Sequence, residues 1–147
     1  MKISECMTHD AFLCAPDDTI QQAAELMSKA DVGFLPVGEN DRLIGMITDR
    51  DIAIRGLAKG LKANAKVRDV MSGEVKYCFD DEDVGHVAHN MADVQVRRLP
   101  VVNRDKRLVG IVSLGDIAVA EGPETAGPAI CGISEPKSLH SPAQMAG

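Results

Sequence analysis

Two short patterns place a hydroxyl and a carboxylate three residues apart: Thr48-x-x-Asp51 and Ser113-x-x-Asp116. Each follows an apolar run and precedes a helix-forming stretch, so both side chains fall at a helix N-terminus and can face the same way. A carboxylate held there can accept two hydrogen bonds from the 2′ and 3′ hydroxyls of a ribose, and such charge-assisted bonds are the strong kind. The hydroxyl adds a donor or an acceptor. The same pattern is also a helix-capping signature, typically stabilising by about 1 kcal/mol, and spacing alone favours that simpler role. Arg97-Arg98, just ahead of Leu99-Pro100, offers complementary chemistry. A planar guanidinium binds phosphate through two parallel donors. On an extended segment one arginine faces inward and the other outward. A solvated basic pair on a strand edge is the alternative.

Other reactive residue types do not assemble into a site. His86 and His89 stand three apart on an expected helix, but no third or fourth metal ligand accompanies them. His9 and His140 are isolated. The acidic run Asp80-Asp81-Glu82-Asp83 precedes a helix, where negative charge complements the helix dipole. There is no glycine-rich phosphate loop, no GxSxG motif and no zinc spacing, so no catalytic residues, metal or required cofactor are expected. The four cysteines, Cys6, Cys14, Cys78 and Cys131, form no CxxC pair. Reduced thiols are the expectation, with Cys14 and Cys78 buried in apolar strands. A Cys14–Cys131 disulfide is the minor alternative, should the C-terminal segment fold back.

The formal charge of -6 argues against a nucleic-acid partner. The N-terminus lacks an apolar signal region, and no apolar run approaches the length of about 18 residues that a membrane span needs. A cytoplasmic location is expected.

The elements that would position these groups come from an internal duplication. Met7 answers to Met71, Cys14 to Cys78, Met27 to Met91 and Leu35-Pro36-Val37 to Leu99-Pro100-Val101, all offset by 64 residues. After one insertion in a polar turn the offset becomes 65: Arg42-Leu43-Ile44-Gly45 matches Arg107-Leu108-Val109-Gly110. The organisation reads as a first repeat over residues 1–58, a linker over 59–66, a second repeat over 67–120 and a Gly/Pro-rich tail over 121–147. Each repeat reads as strand, helix, strand, strand, helix. In the first, residues 11–14 form a strand and Thr19 with Gln22 caps a helix whose face is Ile20, Ala23, Ala24 and Met27. Residues 34–37 and 43–47 form a hairpin, and a helix runs from near Asp49 toward Gly56 or Ala58. In the second, residues 77–79 form a strand and Val84, Val87, Ala88 and Met91 form the helix face. Residues 98–102 and 108–112 form the hairpin, and 115–120 the closing helix. A repeat of about 55 residues is too small for an ample core, so one core shared by both copies is expected. The tail reads as extended or partly disordered.

Together, Cys6-Met7-Thr8 with Val70-Met71-Ser72, the paired Leu-Pro-Val, and Gly45-Met46-Ile47-Thr48-Asp49-Arg50-Asp51-Ile52 with Gly110-Ile111-Val112-Ser113-Leu114-Gly115-Asp116-Ile117 resemble a tandem pair of cystathionine-β-synthase (CBS) domains. The run from Thr48 to Leu61, with Ala129-Ile130-Cys131, is similar to small stand-alone CBS-pair proteins of the hypoxic response type. The resemblance implies a mixed α/β (α+β) fold of two repeats with pseudo-twofold symmetry around a cleft, and a homodimer. It implies a regulatory module that binds an adenosyl ligand such as AMP, ATP, NAD or S-adenosylmethionine, and signals through a protein partner not identified by sequence. Thr48 and Asp51 would hold a ribose, with Arg98 and Arg97 at the phosphate. Ser113 and Asp116, with Phe34 for stacking or core packing, would form a weaker site. Thr8 and Val37, or Ser72 and Val101, would line the adenine. The rival expectation is a stress-response or redox-responsive interaction protein of the same fold that binds no nucleotide, with Cys131 as the switch in the redox case.

Overall fold

A computed structural model describes residues 1–9 and 12–136 of the chain. It divides into two compact units that do not coincide with the sequence repeats. Unit one is Met1–His9, Tyr77–Arg104 and the chain from Val109 onward; unit two is Asp10–Lys76 with Asp105–Leu108. The opening segment of each repeat has changed places. Residues at the start of the first repeat build into the unit that holds the second repeat's helices, and the reverse holds for the start of the second repeat.

Unit one contains a four-stranded sheet in the order β1-β6-β5-β4. Its strands are β1 (Thr8–His9), β4 (Cys78–Phe79), β5 (Arg98–Val102) and β6 (Leu108–Ser113). Thr8 pairs antiparallel with Ile111 and His9 with Gly110; Cys78 pairs parallel with Val101. Here Gly110 is obligatory, because a Cβ on it would lie 2.5 Å from the Thr8 carbonyl oxygen and 3.0 Å from Met7 Sδ. Three helices complete the unit: α3 (Val84–Val94), α4 (Leu114–Glu121) and α5 (Pro123–Ser134). Asp83 caps α3 by accepting from Gly85 N–H at 3.0 Å. The expected face of Val84, Val87, Ala88 and Met91 is buried, and joins Ile3, Met7, Val101, Val112 and Ile117 in one core.

Unit two holds α1 (Ile20–Ala30) and the hairpin β2 (Phe34–Glu39) with β3 (Arg42–Thr48). The expected capping box forms: Gln22 N–H donates to Thr19 Oγ1 at 3.0 Å, and Thr19 N–H donates to Gln22 Oε1 at 2.8 Å. The hairpin turns through Asn40 and Asp41, at φ 55° and 63°, residue types that tolerate the left-handed region. After β3 the chain makes one α turn, α2 (Asp49–Asp51), widens into a π turn over Ile52–Gly56 and tightens into a 3-10 turn over Leu57–Lys59. The widened turn is visible at Leu57, whose N–H is shared between the carbonyls of Ala53 and Ile52. The core is Cys14, Ile20, Ala23, Met27, Leu35, Val37, Ile47, Val67 and Val70. Gly45, the repeat mate of Gly110, would place a Cβ 2.7 Å from Met71 Sδ and 2.9 Å from the Ser72 carbonyl oxygen.

Three sequence expectations change. There are two cores and not one, because each unit borrows the other repeat's opening residues to finish itself: Ile3 and Met7 in unit one, Val67 and Val70 in unit two. The strand at 11–14 reduces to a single parallel bridge of Cys14 with Val37, and Ala11 lies outside the described residues. The tail is not extended through its first half. Residues 123–134 are α5, with Pro123 at its first turn, where a missing N–H costs nothing. Its buried Ala126 and Ala129 join the unit-one core. Gly132 approaches α3 so closely that a Cβ would sit 2.6 Å from Ala92 Cβ. Gln95, the left-handed C-cap of α3, donates its side-chain amide to the carbonyls of Gly132, Ile133 and Glu135 at 3.2, 3.3 and 2.7 Å, closing the end of α5. Pro128 lies inside α5 and costs a backbone bond there; the packing of the flanking alanines offsets it.

Candidate functional site

Both hydroxyl–carboxylate patterns form reciprocal capping boxes. In unit two Asp51 N–H donates to Thr48 Oγ1 at 3.0 Å and Thr48 N–H donates to Asp51 Oδ2 at 3.0 Å. In unit one Asp116 N–H donates to Ser113 Oγ at 3.0 Å and Ser113 N–H donates to Asp116 Oδ2 at 2.9 Å. Each box commits one carboxylate oxygen to the backbone and fixes the direction of the other. In unit two that other oxygen, Asp51 Oδ1, lies 4.0 Å from Arg55 Nη1. Ala120 stands at the matching position of unit one. Capping and ligand holding are compatible, since capping occupies a single oxygen.

A second conserved detail of the duplication fixes the residues ahead of each hairpin. Asp49 N–H donates to the Gly33 carbonyl at 2.8 Å, and Leu114 N–H donates to the Arg97 carbonyl at 2.8 Å. This bond ties Arg97 to the start of α4. Arg97, Arg98, Ser113 and Gly115 line a pocket of about 420 Å³ within unit one, together with Ile130 and Ile133 of α5. The arginine pair thus meets the second repeat's own helix start inside one unit.

The remaining expected residues are placed as follows. Val37 and Val101 are wholly enclosed in their cores, at 0% exposure. Phe34 is 6% exposed, at the start of β2. Thr8 is exposed on β1, and Ser72 is half-buried and bridged to Met46.

The cysteines are all free, and the Cys14–Cys131 crosslink is not formed. Cys14 is buried with its thiol 3.8 Å from the Pro36 carbonyl oxygen, whereas Cys131 is exposed on α5. Burial pushes the Cys14 and Cys78 thiols up to about 12, so both stay protonated at neutral pH. Burial, with the carboxylates of Asp116, Glu121 and Glu5, also raises Cys6. The two helix histidines face different carboxylates: His86 Nε2 is 3.6 Å from Glu82 and His89 Nε2 is 3.3 Å from Asp93. Among the described residues no three His, Cys, Asp or Glu side chains cluster as metal ligands. Among them, too, no helix is long and apolar enough to cross a membrane.

Sequence reasoning missed the wall that α5 gives to the arginine pocket. The apolar Ala129-Ile130-Cys131 was the available signal, but four prolines and four glycines across residues 122–147 masked its helical character.

Paired helix-start boxes in a duplicated βαββα-like frame define a tandem-repeat module, and comparison with known proteins gives it a family. The CBS domain model matches residues 3–56 and 67–121, and the chain belongs to the CBS domain family. It is 42% identical over 139 residues to the CBS domain-containing protein YhcV of Bacillus subtilis, covering 94% of this chain and 98% of that one. Hypoxic response protein 1 of Mycobacterium tuberculosis is 43% identical over 103 residues, covering 69% of this chain and 71% of that one. A crystal structure of Hypoxic Response Protein I with two coordinated zinc ions superposes with a TM-score of 0.74 at 37% identity, covering 81% and 98% of the two chains. The CBS domain pair of protein MJ0100, in complex with 5′-methylthioadenosine and S-adenosyl-L-methionine, superposes at 0.73 with 28% identity, covering 84% and 98%. CBSX2 in complex with AMP superposes at 0.71 with 25% identity, covering 81% and 94%. CBS pairs among the structural neighbours therefore bind adenosyl compounds.

Proposed function

We propose that this chain is a regulatory, non-catalytic module that binds an adenosyl ligand, with AMP, ATP, NAD and S-adenosylmethionine as the candidates. The observation that carries the reading is the Thr48–Asp51 box. It spends Asp51 Oδ2 on the backbone and holds Oδ1 ready at a helix start, where a ribose diol can donate to it. In this proposal Thr48 and Asp51 hold a ribose within unit two, and Arg98, supported by Arg97, meets a phosphate within unit one. Ser113 and Asp116 form a second, weaker position. Thr8 and Ser72 contribute to the adenine surroundings through exposed or half-buried atoms.

The module works by population shift: a ligand with unequal affinity for two arrangements favours the better-bound one. It acts as a homodimer in the cytoplasm and passes its state to a partner protein. Exposed apolar side chains on helical segments, Leu57 at 74% and Val119 at 91%, support pairing between copies. Calorimetric titration with the four candidates tests the reading. One ligand should bind, and Asp51→Asn should weaken it about tenfold or more by removing a charge-assisted pair of bonds. Absence of binding by all four, or unchanged affinity in Asp51→Asn, overturns it. Native mass spectrometry of Leu57→Asp and the parent tests the dimer.

A further inference from the structure

The opening segment of the chain completes unit one without a covalent tie. It is held along residues 80–84: Ile3 N–H donates to the Glu82 carbonyl at 2.9 Å and Ser4 N–H to the Asp80 carbonyl at 2.9 Å. Lys2 bridges Asp83 in the antiparallel sense. Residue numbers rise on one side as they fall on the other. Two residues beyond Ser4 stands Cys6, and two residues before Asp80 stands Cys78. Cys78 is buried in the unit-one core, and the half-buried Cys6 packs against that same core. Their thiols are near enough for Cys6 to act electrostatically on Cys78. Unit two repeats the arrangement. Val67 N–H donates to the Asp18 carbonyl at 2.8 Å, Arg68 N–H to the Pro16 carbonyl at 3.0 Å, and Lys66 bridges Thr19. The same step there leads to Val70 and Cys14, which share the unit-two core. The duplication thus brings one matched pair of residues into each core, and in unit one both members are cysteines.

We propose that Cys6 and Cys78 form a dithiol site, which hydrogen peroxide oxidises to a disulfide that clamps the opening segment into unit one. Cys6 is the more accessible thiol and reacts first. Its sulfur takes one peroxide oxygen to give a sulfenic acid, and the other oxygen leaves as water. The Cys78 sulfur then attacks the Cys6 sulfur. The S–O bond breaks, and the hydroxide leaves with the Cys78 proton as a second water. The two thiols lose two electrons and two protons, and one hydrogen peroxide becomes two waters. Burial, with Asp116, Glu121 and Glu5, raises Cys6, while the N-terminal amine lowers it. Burial, with Glu82, Cys6 and Asp80, pushes Cys78 up to about 12. The thiolate is the reacting form, so the pair reacts slowly at neutral pH and closes faster as pH rises. The bond closes a long loop, from Cys6 to Cys78, which strongly restricts the unfolded chain. The site goes beyond the adenosyl reading and stands without it, since neither cysteine is among the proposed ligand contacts.

Peroxide treatment of the full chain tests the proposal, in a Cys131→Ser variant that lacks the exposed thiol of α5. Alkylation and peptide mass mapping without reductant then follow. The product should be lighter by two hydrogens and yield a linked Cys6–Cys78 peptide, which a reductant separates. Its formation should speed up about tenfold per pH unit above neutrality. In the oxidised chain the amides of Thr8 and His9, on the strand that pairs with β6, should exchange about tenfold more slowly than in the reduced chain. Cys6→Val, which installs the residue found at the matching position of the second repeat, should keep its circular dichroism spectrum and lose no hydrogens. Val70→Cys should gain a second bond, to Cys14. Oxygen added to Cys6 with no linked peptide would overturn the proposal. So would a link from Cys78 to Cys14 in place of Cys6, or loss of two hydrogens by Cys6→Val. Unchanged exchange at Thr8 and His9 after oxidation would overturn the clamp.

Discussion

The helix start of unit two presents Asp49 and Arg50, and that of unit one presents Leu114 and Gly115, yet the same hydrogen bonds close both. Both starts are closed by a reciprocal capping box, and both are tied by a 2.8 Å bond to the residue ahead of the hairpin. The duplication has kept these bonds and altered the two residues between the hydroxyl and the carboxylate. Unit two keeps its spare carboxylate oxygen near Arg55; unit one trades that cation for a pair on the neighbouring strand.

The comparison predicts where the two units behave alike. The largest stability effect belongs to the mated glycines. Gly110→Ala and Gly45→Ala should each destabilise by about 1–3 kcal/mol in denaturant unfolding, because the added methyl overpacks a closed contact. Gly110→Ala should cost more, since its Cβ would lie 2.5 Å from a backbone oxygen, against 2.9 Å at Gly45. Gly115→Ala should instead be neutral or stabilising by about 0.5–1 kcal/mol, as expected for a helix position with room. Equal losses at all three glycines would break the argument from close approach.

Next come the caps. Asp51→Ala and Asp116→Ala should each lose about 1 kcal/mol of stability, measured by the same unfolding. Similar losses with adenosyl binding lost only for Asp51 would sharpen the difference in function. Smaller still, Gln95→Ala should loosen the end of α5 by about 0.5–1.5 kcal/mol, the usual worth of a lost hydrogen bond, seen as faster amide exchange at residues 130–134 with α3 unaffected. The last effect is silent at neutral pH. Cys14 and Cys78 have folded pKa values near 12, above the ordinary thiol value. The folded state therefore holds protons that the unfolded state releases. The stability they provide is full below about pH 8.5 and falls as pH rises toward 12. Cys14→Ala and Cys78→Ala should each flatten that alkaline slope.

Much of this arrangement was legible in the residues. The Thr19–Gln22 box, the apolar face of α3 and the hairpin at 98–102 and 108–112 follow from local chemistry, where the partners are a few residues apart. The exchange of opening segments was not legible. Aligning Met7 with Met71 shows that they are equivalent, but equivalence does not reveal that Thr8 pairs with Ile111 and Ser72 with Met46. The helix α5 was hidden for a different reason. Its prolines and glycines lower intrinsic helix propensity, and the compensation comes from tertiary contact at Gly132 and from the amide of Gln95. The two capping boxes were read from spacing, whereas the α5 wall of the arginine pocket required the fold.

The traded opening segments impose an order of events during synthesis. Thr8 and His9 leave the ribosome ahead of their pairing partners at residues 110 and 111, which are about a hundred residues away, some 5–20 s of translation at ordinary rates. Most of unit two can close around residues 10–76 in the meantime. The amino terminus waits as an unmatched strand, and unit one is completed only when the second hairpin arrives to receive it.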